Sequence, residues 1–310
     1  MSKFQVNSEE EKSSGDLQIK EPKEDLSKYR ECLLDLTEPV AKRTHAAFHL
    51  RTQGSVDAMH VIAEALRQRK DSSLMRHELA YILGQMQHNE AISTLTSTLQ
   101  DEAEDLLVRH ESAEALGALG QLESLDVLGA YVDHSAPEIA ETCQIAVDLI
   151  KYRHEQNKGK QEEQGTFLSV DPAPGFSESR SVPELTAVLM DAEKSLFIRY
   201  RAMFSLRDIN TDESALAICK GFDDSSALFR HEIAYVLGQL MRRVTVPALS
   251  VVLRNLTEHR MVRHEAAEAL GAIGTPDAET VLQEFAHDEE LVVNESCAVA
   301  LDTVQYWKEF

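Results

Sequence analysis

The sequence predicts an all-α protein, an α-solenoid in two duplicated halves that face each other. Three observations predict it. Ala, Leu and Glu predominate while only 6% of the 310 residues are aromatic, a composition that suits helix better than strand. Apolar residues recur at helical spacing, as at Leu79, Ile82, Leu83 and Met86. The chain also repeats itself, at 33 residues within each half and at 154 residues between halves. Repetition at such a period marks stacked units, none of which can bury its apolar stripe alone.

In chain order, residues 1–26 are polar and charged, without apolar periodicity, and are expected to be a disordered acidic extension. Residues 27–152 form the first half and 182–310 the second. Residues 153–181, with KGKQEEQG and DPAPG, have the composition of a linker. Arg76-His77-Glu78-Leu79-Ala80-Tyr81-Ile82-Leu83-Gly84-Gln85 returns as Arg230-His231-Glu232-Ile233-Ala234-Tyr235-Val236-Leu237-Gly238-Gln239. Arg109-His110-Glu111 through Gly117 returns as Arg263-His264-Glu265 through Gly271 at the same offset. Upstream, Phe48 to Arg51 matches Phe204 to Arg207 at an offset of 156. The spacing resembles HEAT-type repeats, about four to each half. Ser72 or Ser73 is expected to cap the helix that carries His77, and Gly84 to loosen its end.

The formal net charge of −22 argues against nucleic acid, whose phosphates need basic surface, and suits a cationic partner. Taken alone, the acidity reads simply as an aid to solubility. Cys32, Cys143, Cys219 and Cys297 are scattered, with no CxxC, which points to a reducing compartment. No signal pattern or membrane-length apolar run is present. The expectation is a soluble, cytoplasmic protein without a membrane partner, with a nuclear fraction left open.

Twelve histidines would place Glu directly after His about once by chance. It happens five times, each after an Arg. Four of these, at His77-Glu78, His110-Glu111, His231-Glu232 and His264-Glu265, lead into an apolar helical run ending in Leu-Gly. The fifth, His154-Glu155, runs into Gln156-Asn157-Lys158 and has no counterpart in the second half, so it reads as a decoy at a helix end. Equivalent positions in adjacent repeats lie one helix spacing apart. If the halves face each other, four imidazoles and four carboxylates converge, a donor set suited to two divalent metals. One His-Glu pair would read as surface. Eight ionisable groups gathered inside a fold would be costly without a compensating cation. Glu114 and Glu268 read equally as supports for the motif carboxylates or as solvated helix positions. The Arg before each His reads as structural. There is no HExxH, P-loop or GxSxG.

With these motifs in view, the chain from about residue 27 to 310 resembles the deoxyhypusine hydroxylase family. The resemblance implies two HEAT-like halves clasping a non-haem di-iron centre. It implies two Fe(2+) per chain, dioxygen as co-substrate, and hydroxylation of the deoxyhypusine side chain on translation initiation factor 5A to form hypusine. It implies His77, His110 and Glu111 as ligands of one iron and His231, His264 and Glu265 as ligands of the other. Glu78 and Glu232 match the remaining motif carboxylates. They either touch metal weakly or hold the substrate amine, the second being favoured because neighbours on a helix diverge by about 100°. Two rivals make different predictions. A non-catalytic HEAT-repeat scaffold would bind no stoichiometric metal. A hydrolase or chromophore lyase would work without oxygen.

Overall fold

The structure is a computed structural model in which residues 26–156, 167 and 169–308 are described. Residues 1–25, most of the expected acidic extension, lie outside them. Sixteen α-helices and no strand occur among the described residues: α1 (Ser27–Leu34), α2 (Val40–Gln53), α3 (Val56–Leu66), α4 (Ser73–Met86), α5 (Ile92–Gln100), α6 (Leu106–Leu119), α7 (Ser124–Gly129), α8 (Pro137–Gln156), α9 (Val182–Leu189), α10 (Leu196–Ile209), α11 (Asp212–Cys219), α12 (Ala227–Leu240), α13 (Val246–Arg254), α14 (Arg260–Ile273), α15 (Pro276–Phe285) and α16 (Leu291–Lys308). They pair into four repeats per half.

The even-numbered helices form an inner layer and the odd-numbered ones an outer layer. Each inner helix contacts the next; α8 meets α10 across the halves, and α16 returns to α2. The inner layer is therefore a closed ring. Both halves contribute to one of the cores, where Leu74, Leu107, Ile145 and Leu149 of the first half pack with second-half residues such as Leu228 and Phe229.

Local chemistry sets the ring. Ser72, Asp105, Ser195, Ser226 and His259 each cap an inner helix by accepting a backbone N–H with the side chain. Ser72, not Ser73, is the cap of α4. Arg43, Arg76, Arg109, Arg199 and Arg263 all donate through Nε to a leucine carbonyl ten residues earlier, at 2.8–3.1 Å. Those carbonyls lie in the last turns of the preceding outer helices, whose final C=O groups have no helical partner. The structural reading of the arginines in the motifs at His77, His110 and His264 is thus explained: each ties its inner helix to its outer mate. Arg76 also pairs with Glu104, and Arg263 with Asp288.

Gly84 does not loosen a helix end. It lies inside α4, where an added Cβ would stand 2.9 Å from the Ala115 Cα. Gly117, Gly238 and Gly271 meet Ala146, Ala269 and Ala300 in the same way. The Leu-Gly tails are contact points between successive inner helices. The linker also differs from a simple spacer. α8 continues to Gln156, and residues 169–175 are packed, with Ala173 fully buried. Cys143 and Cys297 are buried and unpaired, as packing residues.

Candidate metal centre

Each of the four His-Glu pairs begins at the fifth residue of an inner helix, α4, α6, α12 or α14. Because the ring closes, these four positions meet at its centre. The His77 ring lies 5.5 Å from His110, 6.0 Å from His231 and 5.0 Å from His264, centroid to centroid. His231 lies 5.3 Å from both His110 and His264. The halves match in detail: His77 Nε2 stands 3.2 Å from Glu111 Oε2, and His231 Nε2 stands 3.3 Å from Glu265 Oε2. His154 is elsewhere, at the end of α8 against the Gly120 carbonyl.

All four histidines, with Glu78, Glu111, Glu232 and Glu265, are buried. His77, His110 and Glu111 bring ligand atoms within 4.8 Å of one another. In the second half His264 and Glu265 gather with Glu268, while His231 gathers with His77 and His264. The imidazoles therefore interleave across the two halves, and Glu268 stands nearer the donors than a solvated helix residue would. Its carboxylate lies 3.4 Å from His264 Nδ1 and accepts from Ser296 Oγ.

A metal fits this donor set, because the buried polar atoms lack other partners. Both ring nitrogens of His110 and His231, Nε2 of His264 and Oε1 of Glu232 make no hydrogen bond. Each such group costs about 1–3 kcal/mol when left unsatisfied. Burial and the neighbouring imidazoles push His110 and His264 well below the usual histidine range, so both are neutral and carry free lone pairs. Burial opposes protonation of His77, but the Glu111 and Glu78 carboxylates outweigh it and hold that ring's pKa well up. Burial, then the surrounding carboxylates, raise Glu232 well above the usual range, and Glu114 and Glu268 likewise. Cations would relieve both kinds of strain at once.

The cluster lines a cavity of about 300 Å³. Tyr81 and Tyr235, one turn beyond His77 and His231, meet across the halves with their hydroxyls 3.0 Å apart. One turn further, Gln85 pairs with both the N–H and the C=O of Val170 in the linker. Gln239 donates to Ser169 Oγ and to the Tyr235 hydroxyl. Sequence reasoning missed this second tier. Its signal was present, since Tyr and Gln recur in both copies of the motif at the same offset.

Comparison with known proteins agrees with the geometry. A family model for HEAT repeats matches residues 59–147 and 215–302. The deoxyhypusine hydroxylase of Drosophila melanogaster is 47% identical over 86% of this chain and 87% of its own. The human deoxyhypusine hydroxylase is 46% identical over 88% and 89%. The solved structure of the human protein, in complex with glycerol, superposes with a TM-score of 0.87 over 91% of this chain and 96% of that one.

The chain belongs to the deoxyhypusine hydroxylase family.

Deoxyhypusine hydroxylases are enzymes, so the scaffold reading falls away. The expected all-α solenoid of HEAT-like repeats is the fold observed. Among the described residues no helix is long and apolar enough to cross a membrane.

Proposed function

We propose that this chain hydroxylates the deoxyhypusine side chain of translation initiation factor 5A, with two Fe(2+) ions in the His-Glu cluster and dioxygen as co-substrate. The observation that carries the reading is the cluster of buried imidazole and carboxylate atoms without other partners at the base of a cavity. His77, His110 and Glu111 would hold one iron; His231, His264 and Glu265 would hold the other. Bound iron supplies the activation of dioxygen, which side chains cannot achieve unaided.

The remaining work falls to the protein. Glu232 keeps a buried oxygen without a hydrogen-bond donor at the cavity wall. An incoming ammonium supplies that donor and favours the ionised carboxylate, so the substrate chain is held by its charge. Glu78 occupies the equivalent wall position in the first half. Fixing the amine fixes the carbon beside the metals, which is where positioning lowers the barrier. The Tyr81–Tyr235 pair at the cavity wall and the linker residue Val170 beyond it cover that side of the cavity against water.

The test is metal analysis of purified protein alongside turnover of the factor in its deoxyhypusine form. Two irons per chain and an oxygen-dependent gain of one oxygen atom in the substrate mass are expected. Full activity in iron-free protein, or under nitrogen, would sink the proposal.

A further inference from the structure

The floor of the cavity obeys the internal two-fold relation and its mouth does not. His77, Glu78, Tyr81, Glu111 and Glu114 line it together with their partners His231, Glu232, Tyr235, Glu265 and Glu268. Beyond them the lining comes from one side: Phe48 without Phe204, and Gly238, Ala269 and Ala272 without Gly84, Ala115 and Ala118. Phe48 is half-buried whereas Phe204 is fully buried. The linker makes this difference. Val170 is paired to Gln85, Pro172 lies beside Glu114 and Gly117, and Phe167 covers Arg207. One of two equivalent openings is filled by the chain itself.

The same segment neutralises one of two equivalent arginines. Arg207 is 2% exposed and donates through both terminal nitrogens to the Asp171 carboxylate, at 2.9 and 2.8 Å. Its counterpart Arg51 is not part of the lining itself but stands beside two side chains that are. The Arg51 guanidinium lies 5.9 Å from the ring centres of Phe48 and Tyr81, both of which line the cavity. No carboxylate pairs with it among the described residues. Arg43, Arg76, Arg199, Arg230 and Arg263 have carboxylate partners, and Arg109 and Arg201, which have none among the described residues, are held by backbone carbonyls instead, in a chain of net charge −22. An unpaired, half-buried guanidinium there is a site for an external carboxylate.

We propose that Arg51 anchors a carboxylate of the protein substrate at the open mouth, as Asp171 of the linker is anchored by Arg207 on the closed side. The proposal rests on the function given above and names a recognition contact of the same site. The acceptor is an acidic side chain on the substrate surface beside the modified residue. Arg51 is therefore a specificity residue, distinct from the groups that hold metal or amine.

The experiment compares Arg51→Lys, Arg51→Gln and Arg51→Glu in the iron-loaded enzyme, with the intact protein substrate. KM should rise about fivefold for Gln and more than about tenfold for Glu, with kcat and iron content unchanged and Lys retaining most of the affinity. A general acidic rim attracting a cationic substrate predicts the opposite sign, because removing a positive charge would lower KM. A flat or falling KM in Arg51→Glu therefore overturns the proposal. Should Arg51→Glu fail to fold, Arg51→Gln decides, through the same rise or its absence. Absence of turnover in the wild-type protein would instead remove the functional reading, and this inference with it.

Discussion

At the scale of single residues, the four His-Glu pairs differ from the fifth by what surrounds them. His77 and His264 sit among other imidazoles at the ring centre, whereas His154 is exposed and bonded to a backbone carbonyl. His77→Ala and His264→Ala should each lose iron while the far-ultraviolet dichroism stays near wild type; His154→Ala should keep its iron. Equal losses at all three positions would break the link between helical context and metal. Glu232 makes a second case. Its folded pKa is raised, so its favourable share of apoprotein stability is complete below the ordinary carboxylate range, about 4.3, and is lost as pH climbs through the raised value. Glu232→Gln removes that penalty. The variant apoprotein should melt higher than wild type at pH 8 and close to it at pH 4, while losing affinity for the substrate amine. A lower melting point at pH 8 would count against the buried-charge account.

At the scale of elements, the glycines of the Leu-Gly tails decide how closely inner helices approach. A Cβ at Gly271 would stand 2.5 Å from the Ala300 Cβ and 2.8 Å from its Cα. Ala is the better helix former by up to about 1 kcal/mol, yet the partner atoms belong to a helix that cannot yield locally. Gly271→Ala should therefore destabilise by about 1–3 kcal/mol in urea unfolding. At Gly129 nothing lies within 4 Å of the added atom, so Gly129→Ala should be neutral or slightly stabilising. The position of each Leu-Gly tail was legible in the sequence. Its purpose was not, because a glycine near a helix end and a glycine at a helix crossing look alike until the neighbouring helix is placed. The arginines were nearer to legible: their recurrence showed a shared role, but the carbonyls they meet belong to a different helix.

For the whole molecule, the ring is closed around charge that a metal would balance. His110 and His264 have depressed folded pKa values, so their contribution to apoprotein stability is complete above about 6.5 and is lost as pH falls through the folded values. Glu114, Glu232 and Glu268 act in the opposite direction, costing stability as pH rises. Added Fe(2+) under nitrogen should raise the melting temperature more at pH 8 than at pH 5, since acid returns protons to the ligands. A chelator should reverse the gain, and an equal gain at both pH values would contradict the cage described here. One of the two cores and the ring itself depend on contacts between halves, so these effects should appear in a single unfolding transition.

The sequence by itself determined the helical class, the duplicated halves and the four His-Glu pairs that the fold brings together, because each is written in local composition and in spacing along the chain. His77, His110, His231 and His264 are found by period alone, and the iron and the substrate class are implied by family resemblance. The closure of the ring, the interleaving of imidazoles from the two halves, the position of Glu268 and the difference between Arg51 and Arg207 were decided by the tertiary structure. The last shows the reason most clearly. Two arginines in matched sequence stretches acquire different roles because a linker segment, Ser169–Asp171, folds over one side of a nearly symmetric cavity. A repeat pattern contains the symmetry. Which side the connecting chain covers depends on contacts between residues far apart in sequence, and no local period records them.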